Sequence, residues 1–192
     1  MKVNHPVSDW QIGIRFIFVS LAILAGLYPL LVTGFAILIF PIEAKGSLLE
    51  KNGNIVGSRL FAQNFSSSGL FKARPSAGDY NGLPSAASQS FRTSLDWRSK
   101  VEERKVNLMK SGIDPILCEE LLYSSGSGLD PHITLECARE QARVLGVSKD
   151  KVDQIQMLIN NHIEEKKWHS FGRTIVNVNS LNFELLKGGY ER

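Results

Sequence analysis

The chain has 192 residues, a formal net charge of +3 and 21% charged residues. Basic and acidic side chains are interleaved, as in Arg98-Ser-Lys-Val-Glu-Glu-Arg-Lys105. That pattern is a solvated helix face and argues against a nucleic-acid footprint. Two cysteines, Cys118 and Cys137, and four histidines form no metal-ligand spacing, so no metal site is expected.

The first predicted element is a membrane span. From Phe16 to Phe40 there are 25 residues without a charge. As a helix these reach about 37 Å, against a hydrocarbon core of about 30 Å. The run is longer than the ~7–15 apolar residues of a secretory signal, and no small-x-small cleavage site follows it. The reading is therefore an N-terminal tail, 1–15, a transmembrane helix, 16–42, and a soluble domain, 43–192. Pro29 sits mid-span and implies a kink. Gly26, Thr33 and Gly34 put small groups on similar faces, which lets helices approach closely. Orientation is not set by charge: Lys2 and Arg15 precede the span, and Lys45, Lys51 and Arg59 follow it.

Residues 43–192 suffice for one core burying roughly 70% of their unfolded surface. Residues 47–65 read as a hairpin about Asn52-Gly53, the preferred type I′ pair. Residues 66–92 are rich in Ser, Gly, Ala and Pro and form a long irregular segment. Its interleaved Leu70, Phe71, Tyr80, Leu83 and Phe91 suggest that it packs on the domain. Four helices are predicted next. They begin at Ser94, at Asp114-Pro115, at Thr134 (running Leu135 to Leu145 and stopped by Gly146), and at Ser148 with Val152, Ile155, Ile159 and Ile163 on one face. Thr174 to Val178 reads as a strand, followed by a short helix from Ser180 to Leu186. The fold class is α+β: one N-terminal transmembrane helix, then a single soluble domain with a small sheet and about four helices.

The stretch Ser124 to Thr134, SSGSGLDPHIT, offers the densest set of functional residue types. As a catalytic triad Ser127, Asp130 and His132 fail, since they are local neighbours with no nucleophile elbow. A P-loop and a dinucleotide fingerprint are absent. A Gly/Ser-rich loop leading to a helix N-terminus can still offer N–H groups to an anion. The structural alternative is a turn in which Asp130 and Thr134 cap backbone donors. His5, His132, His162 and His169 form no ligand cluster. Arg74 is read as pinning the irregular segment or meeting a partner carboxylate. Asn177, Asn179 and Asn182 are read as caps, and Cys118 and Cys137 as small apolar core residues, with a disulfide open outside the cytoplasm.

Five stretches in register then carry a family resemblance. They are Gly46-Ser47-Leu48, Gly57 to Phe65, Phe71-x-x-Arg74-Pro75-Ser76-Ala77, Ser125 to Ile133, and Val176 to Asn182, together with Tyr28-Pro29-Leu30-Leu31 in the span. The order and spacing resemble the C subunit of the bacterial Kdp potassium-transporting ATPase across nearly the whole chain. The resemblance implies a non-catalytic accessory subunit of an ATP-driven potassium importer in the bacterial inner membrane. Implied partners are a channel-like potassium-binding subunit, an ATP-hydrolysing P-type subunit and a small single-span subunit.

The resemblance also implies a catalytic chaperone that raises ATP affinity, with no tightly bound cofactor and ATP acting through the complex. The family's nucleotide-contacting glutamine falls on Gln141, otherwise an exposed helix position, and Ser125 and Ser127 join it as nucleotide candidates. Arg74, Pro75, Asp130, His132 and Asn177 are the candidates for partner docking. In complexes of this family the soluble domain lies on the outer, periplasmic face, out of reach of cytoplasmic ATP. The chain departs from the family at Ala86 to Phe91, where members often carry Gly-Gly-Ser-Asn. Two other functions compete: a membrane-anchored sensor or adaptor using the 66–92 segment, and a membrane-anchored hydrolase using Ser127 or His132.

Overall fold

The computed structural model describes residues 8–65, 69–83, 85–145, 149–164 and 172–188, the side chains of Lys149 and Asp150 excepted. The chain divides into two units, Met1–Ser47 and Leu48–Arg192. In the first, α1 (Asp9–Leu21), a π-helical segment (Ala22–Leu27) and α2 (Tyr28–Ile39) run on as one helix, and the short α3 (Pro41–Ala44) follows. The continuous helix, Asp9–Ile39, is 31 residues long and apolar enough to cross a membrane. It begins before the expected start at Phe16, since nothing between Asp9 and Arg15 breaks a helix. The π-helical segment answers Pro29. Proline has no N–H to give Ala25, and just before it Tyr28 N–H bonds instead to Ile23 O, one residue further back than an α-turn.

The second unit is α+β. β1 (Leu48–Lys51) and β2 (Asn54–Ser58) form an antiparallel hairpin. Asn52 and Gly53 have φ of 54° and 79°, both in the left-handed region that the type I′ turn demands. The hairpin's second strand stops at Ser58, short of the expected end at residue 65, and Gly57 lies so close to the Gln63 carboxamide that a Cβ there would collide with it. The second sheet has the order β3–β5–β4, antiparallel throughout, from β3 (His132–Thr134), β4 (Ile163–Glu164) and β5 (Ile175–Asn177). Among the described residues this unit also has four α-helices: α4 (Leu95–Lys110), α5 (Leu135–Leu145), α6 (Lys149–Asn161) and α7 (Val178–Lys187). Ile133, Val176, Val178, Leu181 and Ile159 meet in the core with Phe71.

Further expectations change in this unit. No helix grows from Asp114-Pro115. Asp114 Oδ1 accepts from Ile116 N at 2.8 Å, and a single 3₁₀ turn, Glu119–Leu121, follows. The apolar set there is split, with Leu121 and Leu122 buried and Ile116 84% exposed, so no single helix face would bury it. Ile163 leaves the α6 face and pairs with Val176 in β4. Cys118 and Cys137 are fully buried and joined by a disulfide that ties this turn to α5. Two helix starts hold closely: Ser94 Oγ accepts from Trp97 N at 3.3 Å, and Thr134 Oγ1 accepts from Cys137 N at 3.2 Å. The expected Gly146 stop and Ser148 cap lie outside the described residues.

Candidate functional site

The described residues between 59 and 80 have no strand partner, yet their backbone must satisfy its hydrogen bonds. Side-chain amides do this. Asn182 Oδ1 accepts from Phe71 N at 2.8 Å and its Nδ2 donates to Phe71 O at 2.9 Å. Next to it, Gln141 Oε1 accepts from Lys72 N at 2.8 Å and its Nε2 donates to Lys72 O at 3.1 Å. Two carboxamides thus take the place of a neighbouring strand. Asn179 Nδ2 donates to both Ser58 O and Phe61 O at 2.6 Å, and Asn177 Nδ2 donates to Arg59 O at 2.8 Å. The expected capping role holds for Asn177, whose Oδ1 accepts from Ser180 N at 3.1 Å. Asn179 and Asn182 act as long-range clamps instead.

The Ser124–Thr134 stretch is the hub on which these segments converge. Ala62 N donates to Leu129 O at 2.8 Å, Ser125 N to Pro75 O at 3.2 Å, and Ser85 Oγ to Ser127 O at 2.7 Å. Gly128 has φ of 71°, and a Cβ on it would sit 2.7 Å from Ala86 O and 2.9 Å from Ser76 Oγ. No other residue fits there without displacing backbone. Within the stretch Ser127 Oγ accepts from Leu129 N at 3.1 Å, and Ser125, nearly fully buried, faces Asp130 N. The stretch is therefore a turn that ends in β3.

All five docking candidates fall in one hydrogen-bonded cluster. Arg74 Nη1 pairs with Asp130 Oδ2 at 2.9 Å, while Tyr80 Oη donates to Arg74 O at 3.0 Å. Asp130 Oδ1 accepts from His132 N at 3.0 Å and faces His132 Nδ1 at 3.2 Å. Across the sheet His132 is in register with Asn177, and its Nε2 lies 3.4 Å from Glu164 Oε1 on β4. Pro75 joins through its carbonyl. Burial pushes the Asp130 carboxyl up, but the His132 ring and backbone donors and the Arg74 guanidinium outweigh it and hold it at about 2. The Asp130 carboxylate raises the His132 imidazole pKa, burial opposes this, and Glu164 adds to the rise.

The nucleotide candidates do not come together. Ser125 and Ser127 line a recess of about 500 Å³ with Leu60, Phe61 and Asp130. Gln141 lines a separate cavity of about 610 Å³ between α4, α5 and residues 63–65 and 69–75. Gln141 is 2% exposed, contrary to the expected exposed position, because α5 turns that face onto the irregular segment. Residue patterns missed the clamping role of Asn179 and Asn182. The Asn-x-Asn-x-x-Asn spacing was the available signal, but it names no partner.

Fold and site together define a class: an α+β unit preceded by a helix consistent with a single-pass membrane anchor. Comparison with known proteins narrows it. Residues 10–187 match the family profile described as K+-transporting ATPase, c chain. A potassium-transporting ATPase KdpC subunit of Geobacter metallireducens is 36% identical over 187 residues, covering 93% of this chain and 97% of that protein. One from Pectobacterium atrosepticum is 40% identical over 177 residues, covering 88% and 92%. One from Caldanaerobacter subterraneus is 34% identical over 178 residues, covering 91% and 92%. The chain belongs to the KdpC family of potassium-transporting ATPase subunits.

Proposed function

We propose that this chain is a non-catalytic accessory subunit that docks through the Ser124–Thr134 hub, on the outer face of the membrane, onto the channel-like subunit of the complex and stabilises the assembly. The observation that carries this reading is the surface beside the hub. Leu60 and Phe61 are 52% and 53% exposed although the backbone around them is clamped by Asn177 and Asn179, and they border the recess formed by Ser125–Pro131. A rigid apolar edge next to a polar cluster is the anatomy of a protein interface. The Cys118–Cys137 disulfide supports the outer face, since disulfides persist in oxidising compartments and are rare in the cytoplasm.

On this reading the chaperone effect on ATP affinity works through subunit contacts. Both polar ends of the Gln141 amide are engaged by Lys72, which favours a structural role for that residue. The test is co-purification of the complex from cells carrying Leu60→Glu with Phe61→Glu, against Ile116→Glu as an exposed control. The double variant is expected to lose most of the assembled complex and the control to keep it. Unchanged assembly in the double variant would remove the hub from the interface.

A further inference from the structure

We propose that the recess between the start of α4 and the Tyr123-Ser124 turn is a binding site for a phosphate-bearing anion, separate from the docking hub. The recess has a volume of about 240 Å³ and is lined by Arg92, Trp97, Lys100, Arg104, Tyr123 and Ser124 among others. Trp97, Lys100 and Arg104 stand at i, i+3 and i+7 of α4, so helix geometry alone stacks them along one face. Trp97 stacks on Tyr123 with ring centroids 5.6 Å apart and planes 9° off parallel. Arg92 lies 5.9 Å from both centroids, a cation–π arrangement that orders its guanidinium without a carboxylate.

Arg104 is fixed by donating from Nη1 to Leu122 O at 3.0 Å and from Nη2 to Ser124 Oγ at 3.3 Å. Both bonds leave its charge uncompensated. Among the described residues no carboxylate lies within ion-pair distance of Arg92 or Arg104, and one acidic partner, Asp96, pairs with Lys100 at 2.9 Å. Three cations against one anion leave two positive charges on a small recess. Such a concentration favours an anion of matching charge. A phosphate carries about −1.5 to −2 charges at neutral pH, and its oxygens suit the forked donors of two guanidiniums. A lone carboxylate neutralises half as much. The stacked Trp97 and Tyr123 rings supply the apolar wall of the recess.

The phosphate has two sources, the headgroup of an anionic phospholipid or a free phosphate compound. One experiment separates them. The full chain, with Trp10→Phe and Trp168→Phe so that Trp97 alone reports, is placed in phosphatidylcholine nanodiscs and titrated with inorganic phosphate at constant ionic strength. A parallel preparation contains phosphatidylglycerol. A saturable Trp97 fluorescence change with phosphate, weakened about tenfold or more by Arg92→Gln with Lys100→Gln, supports a free-phosphate site. A shift produced by phosphatidylglycerol alone and abolished by the same pair supports the headgroup. The proposal is overturned if neither source gives a response that the pair abolishes or weakens, or if acetate reproduces the response. Circular dichroism of the paired variant, both of whose sites are on the surface, shows that the fold is retained.

Discussion

Asn182 shows what one side chain decides in this fold. It is fully buried, and both its hydrogen bonds go to Phe71, 111 positions earlier. Asn182→Ala would strand a donor and an acceptor in the core, and about 2–3 kcal/mol of destabilisation is expected in urea unfolding of the detergent-solubilised chain. Gln141→Ala should act in the same direction through Lys72. A loss of ATP affinity in the complex with stability unchanged would instead favour a direct nucleotide contact. His132 sets a pH dependence. Its pKa is raised in the folded state, so its contribution is fully present below the ordinary histidine value of about 6.5 and is lost as pH rises through the folded value. Asp130 works the other way, contributing fully above about 4 and losing it as pH falls toward about 2. The wild-type chain should therefore lose stability as pH rises above about 6.5, a loss kept modest because His132 is partly open to solvent. Urea unfolding across that range reads the slope. His132→Gln should flatten it, and an unchanged slope would assign it to other groups.

Among the elements, the Glu119–Leu121 turn and α5 are coupled covalently. The Cys118–Cys137 bridge spans 19 positions. Closing a loop of that length is worth about 3 kcal/mol in the chain-entropy account, so Cys118→Ala with Cys137→Ala should lower the stability to unfolding by that order. Non-reducing mass spectrometry checks the bridge directly, since alkylation of either thiol should require prior reduction. The hub has its own test. Gly128→Ala meets both a left-handed φ and the Ala86 carbonyl, and it should cost at least about 1 kcal/mol while loosening the Ser85–Ser127 contact. The Asn-Gly turn and the Thr134 cap were legible beforehand, because turn and cap chemistry is encoded within four residues. The helix expected at Asp114 was not, since its apolar pattern had no single face and the bridge holds the segment in another shape.

For the whole molecule, the question is which compartment the second unit occupies. Leu83 is 94% exposed and, among the described residues, there is no free cysteine. A Leu83→Cys chain in intact cells should react with a membrane-impermeant thiol reagent if the unit lies outside. Reaction only after permeabilisation, with a lysate control labelling fully, would place it in the cytoplasm and return the nucleotide candidates to consideration. Such an outcome would also sit badly with the disulfide.

The sequence by itself determined the long apolar helix, the Asn-Gly hairpin, α4, α5 and α6, the α+β class and the family. Each rests on periodicity, a cap, a turn pair or motifs in register, all of which are local or linear. The tertiary structure alone decided that β3 emerges from SSGSGLDPHIT, that Ile163 joins β4, and that Gln141 and Asn182 serve as the missing strand beside Phe71-Lys72. It also decided that Arg74, Asp130, His132 and Asn177 form one cluster, and that Arg92 joins two cations of α4 around one aromatic stack. The reason is physical. A carboxamide has two donors and an acceptor but no preference for which backbone it meets, so its partner is chosen by the packing of elements a hundred residues apart.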